Sequence, residues 1–136
     1  MFKIPKKIEY ALLALKYIAE HSSEECVNTK AISTNANIPH ELTAKILQRL
    51  VKENIIVSQQ GVRGGYVLNV SAEQLSVFQV IQAVDDEVML TNCMFDGATV
   101  KDCERIENCC LKNPLNNIQS KINVLFSTTY LNEIIG

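Results

Sequence analysis

The sequence predicts a mainly α-helical fold, a winged helix-turn-helix with a small β-hairpin wing and a long C-terminal dimerisation helix. Apolar residues recur at helical spacing through residues 1–53, and two β-prone runs then flank a glycine-rich turn. Residues 113–136 contain a further amphipathic pattern. A hairpin that directly follows a helix-turn-helix is a wing, whose tip is placed to reach a neighbouring DNA groove.

The first three helices are placed by apolar spacing and by the residues at their ends. Residues 8–20 form the first predicted helix, and residues 29–35 form the second. The stretch NANIPHE supplies a tight turn before a third helix over about residues 39–53. Pro39 suits a helix start, because its missing N–H would have had no partner there. The second and third helices therefore form a helix-turn-helix.

The hairpin and a fourth helix follow directly. Residues 55–59 and 66–70 are the β-prone runs, and the turn between them contains Gly61, Gly64 and Gly65. In the stretch LSVFQVIQAVDD, apolar residues again recur at helical spacing, and Ser76 is placed to cap the helix. The residues expected to face inward on this helix are Val77, Val80, Ile81 and Val84.

The remaining chain divides into a loop and a long helix. Residues 88–112 show no periodicity and exceed the usual length of a structureless connection, which indicates a functional or ligand-organised segment. The long helix carries the stripe Leu115, Ile118, Ile122 and Leu125 or Phe126, and a short capped helix ends the chain. With no other evident partner, the stripe is expected to pack against its copy in a homodimer. The predicted units are residues 1–87, 88–112 and 113–136.

Composition and charge narrow the function classes. No stretch is long and apolar enough for a membrane span, and no signal peptide is evident after Lys3, Lys6 and Lys7, so we expect a cytoplasmic protein without a membrane partner. Residues 1–70 carry nine Lys/Arg and six Asp/Glu, whereas residues 71–136 carry four and nine. A basic N-terminal half suits nucleic-acid binding. An enzyme is disfavoured, because phosphate-binding glycine loops and paired catalytic carboxylates are absent.

Cysteine usage points to the loop as a sensor. Cys26 stands alone and is interpreted as a small core residue, whereas four cysteines fall between residues 93 and 110. Cytosolic thiols stay reduced, so a local cluster indicates metal binding or redox chemistry rather than disulfides. An iron-sulfur cluster, a zinc site, a thiol redox sensor and four ordinary cysteines all remain open on this ground. The four residues are Cys93, Cys103, Cys109 and Cys110.

Double-stranded operator DNA would be contacted by the third helix and the wing. Arg pairs bidentately with guanine and Gln with adenine, so Gln48 and Arg49 are candidates for base edges, while Lys45 suits a phosphate. Wing glycines let the backbone approach a groove, and an Arg side chain suits a narrow minor groove. The candidate contacts are His40, Glu41, Lys45, Gln48 and Arg49 on the helix and Gln59, Gln60 and Arg63 at the wing.

The chain resembles the family of IscR-, NsrR- and CymR-type winged-helix regulators over essentially its whole length. The resemblance is carried by YALLALKYIA, by LQRLVKENIIVSQQGVRGGYVLN, by LSVFQVIQAVDD and by the cysteine loop. Its most specific part is GVRGGYVL followed at a fixed distance by VFQVIQAVD. The resemblance implies a homodimer that binds palindromic operator DNA. Some members of the family carry an iron-sulfur cluster and others carry none.

Resemblance to the cluster-binding members implies a ligand set. Those members have three loop cysteines, commonly with five residues between successive ones, and Cys103 and Cys109 keep that interval whereas Cys93 does not. Matching CLKNPL to the family pattern favours Cys110 instead of Cys109, so the third cysteine stays open. Glu9, which precedes Tyr10, matches the members that donate a carboxylate from the other subunit. A 2Fe-2S cluster is favoured over 4Fe-4S.

Two functions from different mechanistic classes follow from these residues. The first is a regulator whose operator affinity changes as an iron-sulfur cluster reports iron-sulfur, redox or nitric oxide status. The second is a metal-free regulator, which is controlled by the redox state of its thiols or by a protein partner. Visible absorbance after anaerobic purification distinguishes them.

Overall fold

The computed structural model describes residues 3–21, 27–59, 64–84, 86, 88–90, 101, 107–108 and 110–135. Six helices and one two-stranded antiparallel sheet lie within these residues, so the predicted fold class is confirmed. In chain order they are α1 (Lys6–His21), α2 (Thr29–Ala36), α3 (His40–Lys52), β1 (Ile56–Gln59), β2 (Gly65–Leu68), α4 (Val77–Ala83), α5 (Lys112–Thr128) and α6 (Leu131–Ile135).

The turn between α2 and α3 is fixed by short polar side chains. The Asn28 side-chain oxygen accepts a hydrogen bond from the Ala31 amide at 2.8 Å and caps the start of α2. Asn37 then adopts a left-handed conformation, φ 54°, which asparagine tolerates better than most residues, and this ends the helix. The Ser33 hydroxyl donates to the Ile38 carbonyl at 2.6 Å. The angle at which the chain enters α3 is therefore set locally.

The hairpin is fixed by its own pairing and by a bridge from β2 to the segment before α2. Its register pairs Ile56 with Leu68 and Gln59 with Gly65. Tyr66 lies on β2, and its amide donates to the Val27 carbonyl at 2.8 Å, so β2 also contacts the segment before α2. These bonds hold the wing against the helical body.

One apolar core joins the N-terminal helices, the hairpin and α4. The inward positions expected on α4 are all buried, and so are Ile46, Leu47 and Leu50 on α3. Ser76 caps α4 as predicted: its hydroxyl accepts from the Gln79 amide at 3.2 Å, and its own amide donates to the Gln79 side chain at 2.9 Å. This reciprocal pair fixes where the chain turns from the hairpin into α4.

The C-terminal segment contacts the winged-helix body more than the sequence analysis expected. α5 packs against α4, and Phe126 contacts the core, so the view that the long helix lacks a partner in its own subunit is wrong. α6 also returns to the body, because Leu131 is buried and its amide donates to the Leu75 carbonyl at 2.8 Å. Among the described residues, no helix has the length and apolar character that a membrane span requires.

Candidate nucleic-acid interface

The outer face of α3 presents the side chains that the sequence analysis selected. His40, Glu41, Lys45, Gln48 and Arg49 are all exposed, which places them on the solvent side of the helix. The opposite side is held by the buried residues Thr43, Ile46, Leu47 and Leu50. A helix anchored in this way presents its polar face as a rigid surface, as a groove-reading helix requires.

The wing is described in part. Gln59 is exposed at the end of β1, and Tyr66 near the start of β2 is half-buried. Gln60 and Arg63, the other candidate wing contacts, lie outside the described residues. Their expected role at the hairpin tip stays a prediction.

A hollow of about 620 Å³, here called the basic hollow, lies between the N-terminal half of α1 and the outer face of α3. Its wall includes the candidate contacts Lys45, Gln48 and Arg49. Its other members are not among the contacts predicted from the sequence, where Lys6 and Lys7 argue only against a signal peptide. Two lysines at the start of an amphipathic helix were the available signal. The residues that the sequence analysis did not select are Lys6, Lys7, Tyr10, Leu42, Ile46 and Lys52.

The predicted sensor loop is described at its end. Cys110 is exposed and lies just before α5. Cys93, Cys103 and Cys109 lie outside the described residues, as does Cys26. Within the described part of the chain, no three His, Cys, Asp or Glu side chains come together as a metal site.

Glu9 lies in the first turn of α1 at the border of an apolar hollow. Its carboxylate is 3.2 Å from the Lys6 ammonium, and the two side chains are 49% and 73% exposed. An exposed pair of this kind stabilises by about 0–1 kcal/mol, so either group is free to take a different partner. Glu9 also lines a hollow of about 230 Å³ with Ile4, Leu13 and Ile134, whose side chains are exposed. An exposed carboxylate and the exposed thiol of Cys110 have the donor chemistry that iron accepts.

Gln119 is a buried polar residue that connects α5 to the start of the cysteine-rich segment. Its amide nitrogen donates to the Val88 carbonyl at 2.8 Å, and its oxygen accepts from the Leu90 amide at 2.9 Å. The same nitrogen donates to the Asn123 side chain at 2.9 Å. The Gln119 side chain therefore connects the segment that leaves α4 to α5, a link that apolar periodicity could not reveal.

α5 also presents an apolar strip to solvent. Ile118 is 47% exposed and Leu125 is 60% exposed, and their spacing of seven residues, or about two turns, places them on one face of the helix. Val124 is also 60% exposed but lies about 120° away around the helix. Leu115 and Ile122 are half-buried, and Phe126 turns toward the core. Exposed apolar side chains on one face of a helix are typical of surfaces that associate with another molecule.

Comparisons with known proteins agree with this geometry. The model of the Rrf2 family, described as an iron-dependent transcriptional regulator, matches residues 4–136. The chain belongs to the Rrf2 family. It is 28% identical over 134 residues to the HTH-type transcriptional regulator IscR of Pectobacterium carotovorum subsp. carotovorum, covering 98% of this chain and 79% of that one.

Solved structures of the family share the fold. IscR of T. potens has a TM-score of 0.73 at 19% identity, covering 98% of this chain and 85% of the other. CymR, the global cysteine regulator of B. subtilis, has a TM-score of 0.74 at 18% identity, covering 99% and 97%. This Rrf2 protein is therefore a winged-helix transcription regulator and not an enzyme, as the sequence analysis expected.

Proposed function

We propose that this Rrf2 protein is a cytoplasmic, homodimeric regulator whose operator binding is modulated by an iron-sulfur cluster. The observation that carries the proposal is the match of residues 4–136 to a family described as iron-dependent. Similarity to IscR over 98% of the chain supports the same reading. The cluster would report iron-sulfur, redox or nitric oxide status.

Operator DNA would be read by the exposed face of α3. Gln48 and Arg49 are proposed to contact base edges, and Lys45 a phosphate. Their support is exposure on one side of a helix whose other side is buried. His40, Glu41 and Gln59 border this surface, and Gln60 and Arg63 are proposed to extend it at the wing.

A second copy of the chain would cover the exposed strip of α5. Fully burying one Ile or Leu side chain contributes about 1.5–3 kcal/mol, so burying the remaining exposed area of Ile118 and Leu125 on each subunit favours association. That gain has to exceed the entropy lost when two chains associate.

The cluster would be held by Cys93, Cys103 and one of Cys109 and Cys110, with Glu9 of the partner subunit as the fourth ligand. Thiolates are soft donors that suit iron-sulfur clusters, and a carboxylate on one iron leaves that site more labile. When bound, the iron-sulfur cluster would supply iron that reacts with the signal that the protein senses. The exposure of Cys110 and Glu9 supports their accessibility as ligands.

Gln119 offers a path from the loop to the rest of the molecule. It bonds the backbone of Val88 and Leu90, which lead from α4 into the cysteine-rich segment. Since α4 packs in the winged-helix core and α5 carries the exposed strip, a change in the loop would act on both. The proposed signal would change DNA binding by changing the relative position of the two winged-helix domains in the dimer.

Anaerobic purification with absorption and Mössbauer spectra tests the cluster. We expect visible absorbance and iron in the wild-type protein, and their loss in Cys93→Ala and Cys103→Ala. Cys109→Ala and Cys110→Ala should differ from one another, because adjacent cysteines rarely both face one iron. Cys26→Ala is the matched control and should keep the wild-type spectrum.

A colourless, iron-free wild-type protein would contradict the proposal that the protein binds an iron-sulfur cluster. The chain would then be the metal-free regulator, controlled by thiol oxidation or by a protein partner. Structural similarity to CymR at a TM-score of 0.74 shows only the fold and does not choose between the two mechanisms.

A further inference from the structure

The basic hollow combines two elements that are distant in sequence. Lys6 and Lys7 come from the first turn of α1, whereas Lys45, Arg49 and Lys52 come from successive turns of α3. All five side chains are exposed. The described residues that line the hollow include no carboxylate, and the ion pair between Lys6 and Glu9 is itself exposed.

The apolar floor of the hollow increases the attraction that these positive charges exert on an anion. Tyr10, Leu42 and Ile46 line it, and Leu42 is 43% exposed in spite of its apolar side chain. Aliphatic stems of lysine and arginine pack along such surfaces while their charged ends point to solvent. Apolar walls also reduce the screening of nearby charges by water. A concave, positively charged surface of this kind attracts anions.

The position of the hollow, next to the residues proposed to read bases, indicates which anion it would bind. Lys45, Arg49 and Lys52 recur every three or four residues, so they form one row along α3, about 10 Å from first to last at 1.5 Å per residue. The base-reading candidates Gln48 and Arg49 line the same hollow. When α3 enters a major groove with Gln48 and Arg49 toward the base edges, Lys45, Lys52 and the start of α1 face the phosphates at the edge of that groove.

We infer that the basic hollow is a phosphate-binding site that clamps one strand of the DNA backbone between α1 and α3. The inference rests on the proposed DNA-binding function and extends it to Lys6, Lys7, Tyr10, Leu42 and Lys52. Lys7 contributes a contact to a phosphate, and so adds affinity without sequence preference. A free phosphorylated small molecule has the same chemistry, and comparing the effect of Lys7→Gln on the binding of inorganic pyrophosphate and of DNA separates the two.

Lys7 and Lys16 are a matched pair for testing this site. Both are exposed lysines of α1, and nine residues, or about two and a half turns, place them on opposite sides of the helix. Lys7 lines the basic hollow and Lys16 lines the apolar one. Lys7→Gln and Lys16→Gln therefore remove the same charge from different faces.

The assay is fluorescence anisotropy with a mixed-sequence DNA duplex between 50 and 200 mM salt. Each lost phosphate contact lowers the log-log salt slope by about 0.9, so wild-type affinity should fall about 3.5-fold more than that of Lys7→Gln over this range. Lys16→Gln should keep the wild-type slope, and Lys7→Arg should restore it. Circular dichroism checks that each variant is folded.

The outcomes separate this inference from the proposed function. A wild-type protein that fails to bind the duplex overturns DNA binding itself. A wild-type protein that binds, with Lys7→Gln at the same slope, overturns the clamp alone. Inorganic pyrophosphate is the second probe: if it binds the wild-type protein but not Lys7→Gln, while both proteins bind DNA with the same salt slope, the site serves a free anion and the backbone assignment is wrong.

Discussion

Gln119 is the position where a single substitution should separate the long helix from the loop. Its side chain is 7% exposed and makes three hydrogen bonds, two of them to the backbone of Val88 and Leu90. Gln119→Ala removes these partners without introducing a bulky group. The Val88 carbonyl is then left buried without its donor, whereas the Leu90 amide is less deeply covered and water can reach it.

The expected loss of stability follows from these contacts. Each net hydrogen bond contributes about 0.5–1.5 kcal/mol, and a buried group left unsatisfied costs about 1–3 kcal/mol. The higher helix propensity of alanine offsets this loss of stability by a few tenths of a kcal/mol. The free energy of unfolding should therefore fall by about 2 kcal/mol. At a urea m-value of about 2 kcal/mol per molar, the midpoint falls by about 1 M.

Urea unfolding of the metal-free protein at one fixed protomer concentration measures this change, because subunit association also stabilises the folded state. Asn117→Ala is the control, since Asn117 is exposed on the same helix, and it should change the free energy of unfolding by no more than about 0.5 kcal/mol. Gln119→Glu should remain destabilised, because a carboxylate cannot donate to the Val88 carbonyl. Equal midpoints for Gln119→Ala and Asn117→Ala would refute the proposed link.

Three further substitutions test separate parts of the molecule. Leu125→Ser should weaken the proposed dimer at least about tenfold by light scattering, because it removes an exposed apolar side chain worth more than about 1.4 kcal/mol, while Ser127→Ala should not. An unchanged mass at every concentration would argue against the strip. Ser76→Ala should lower the free energy of unfolding by about 1 kcal/mol, and an unaltered urea midpoint would show the cap to be unimportant. Glu9→Ala should change the visible spectrum, whereas Glu9→Cys should retain the cluster; an unchanged Glu9→Ala spectrum and stability would exclude only the cross-subunit ligand.

The helices and the wing could be predicted because their signals are local. Spacing of three and four residues is enough to place the buried positions of α3 and α4, and the residues around Ser76 are enough to identify it as a cap. The same apolar spacing places the candidate contacts of α3 on the opposite, exposed side of that helix. Cysteine clustering suggests a donor set, but the loop ligands and their geometry stay predictions.

The helices, the hairpin and their inward faces thus follow from the amino-acid sequence, whereas the ligands of the loop stay a prediction. Tertiary structure decided that Phe126 and not Leu125 turns toward the core, that Gln119 is buried against Val88 and Leu90, and that Lys7 and Lys45 share one hollow. Periodicity states which side of a helix is apolar, but it contains nothing about which other element covers that side. Such choices depend on contacts between residues that are far apart in sequence, and these form only when the whole chain packs.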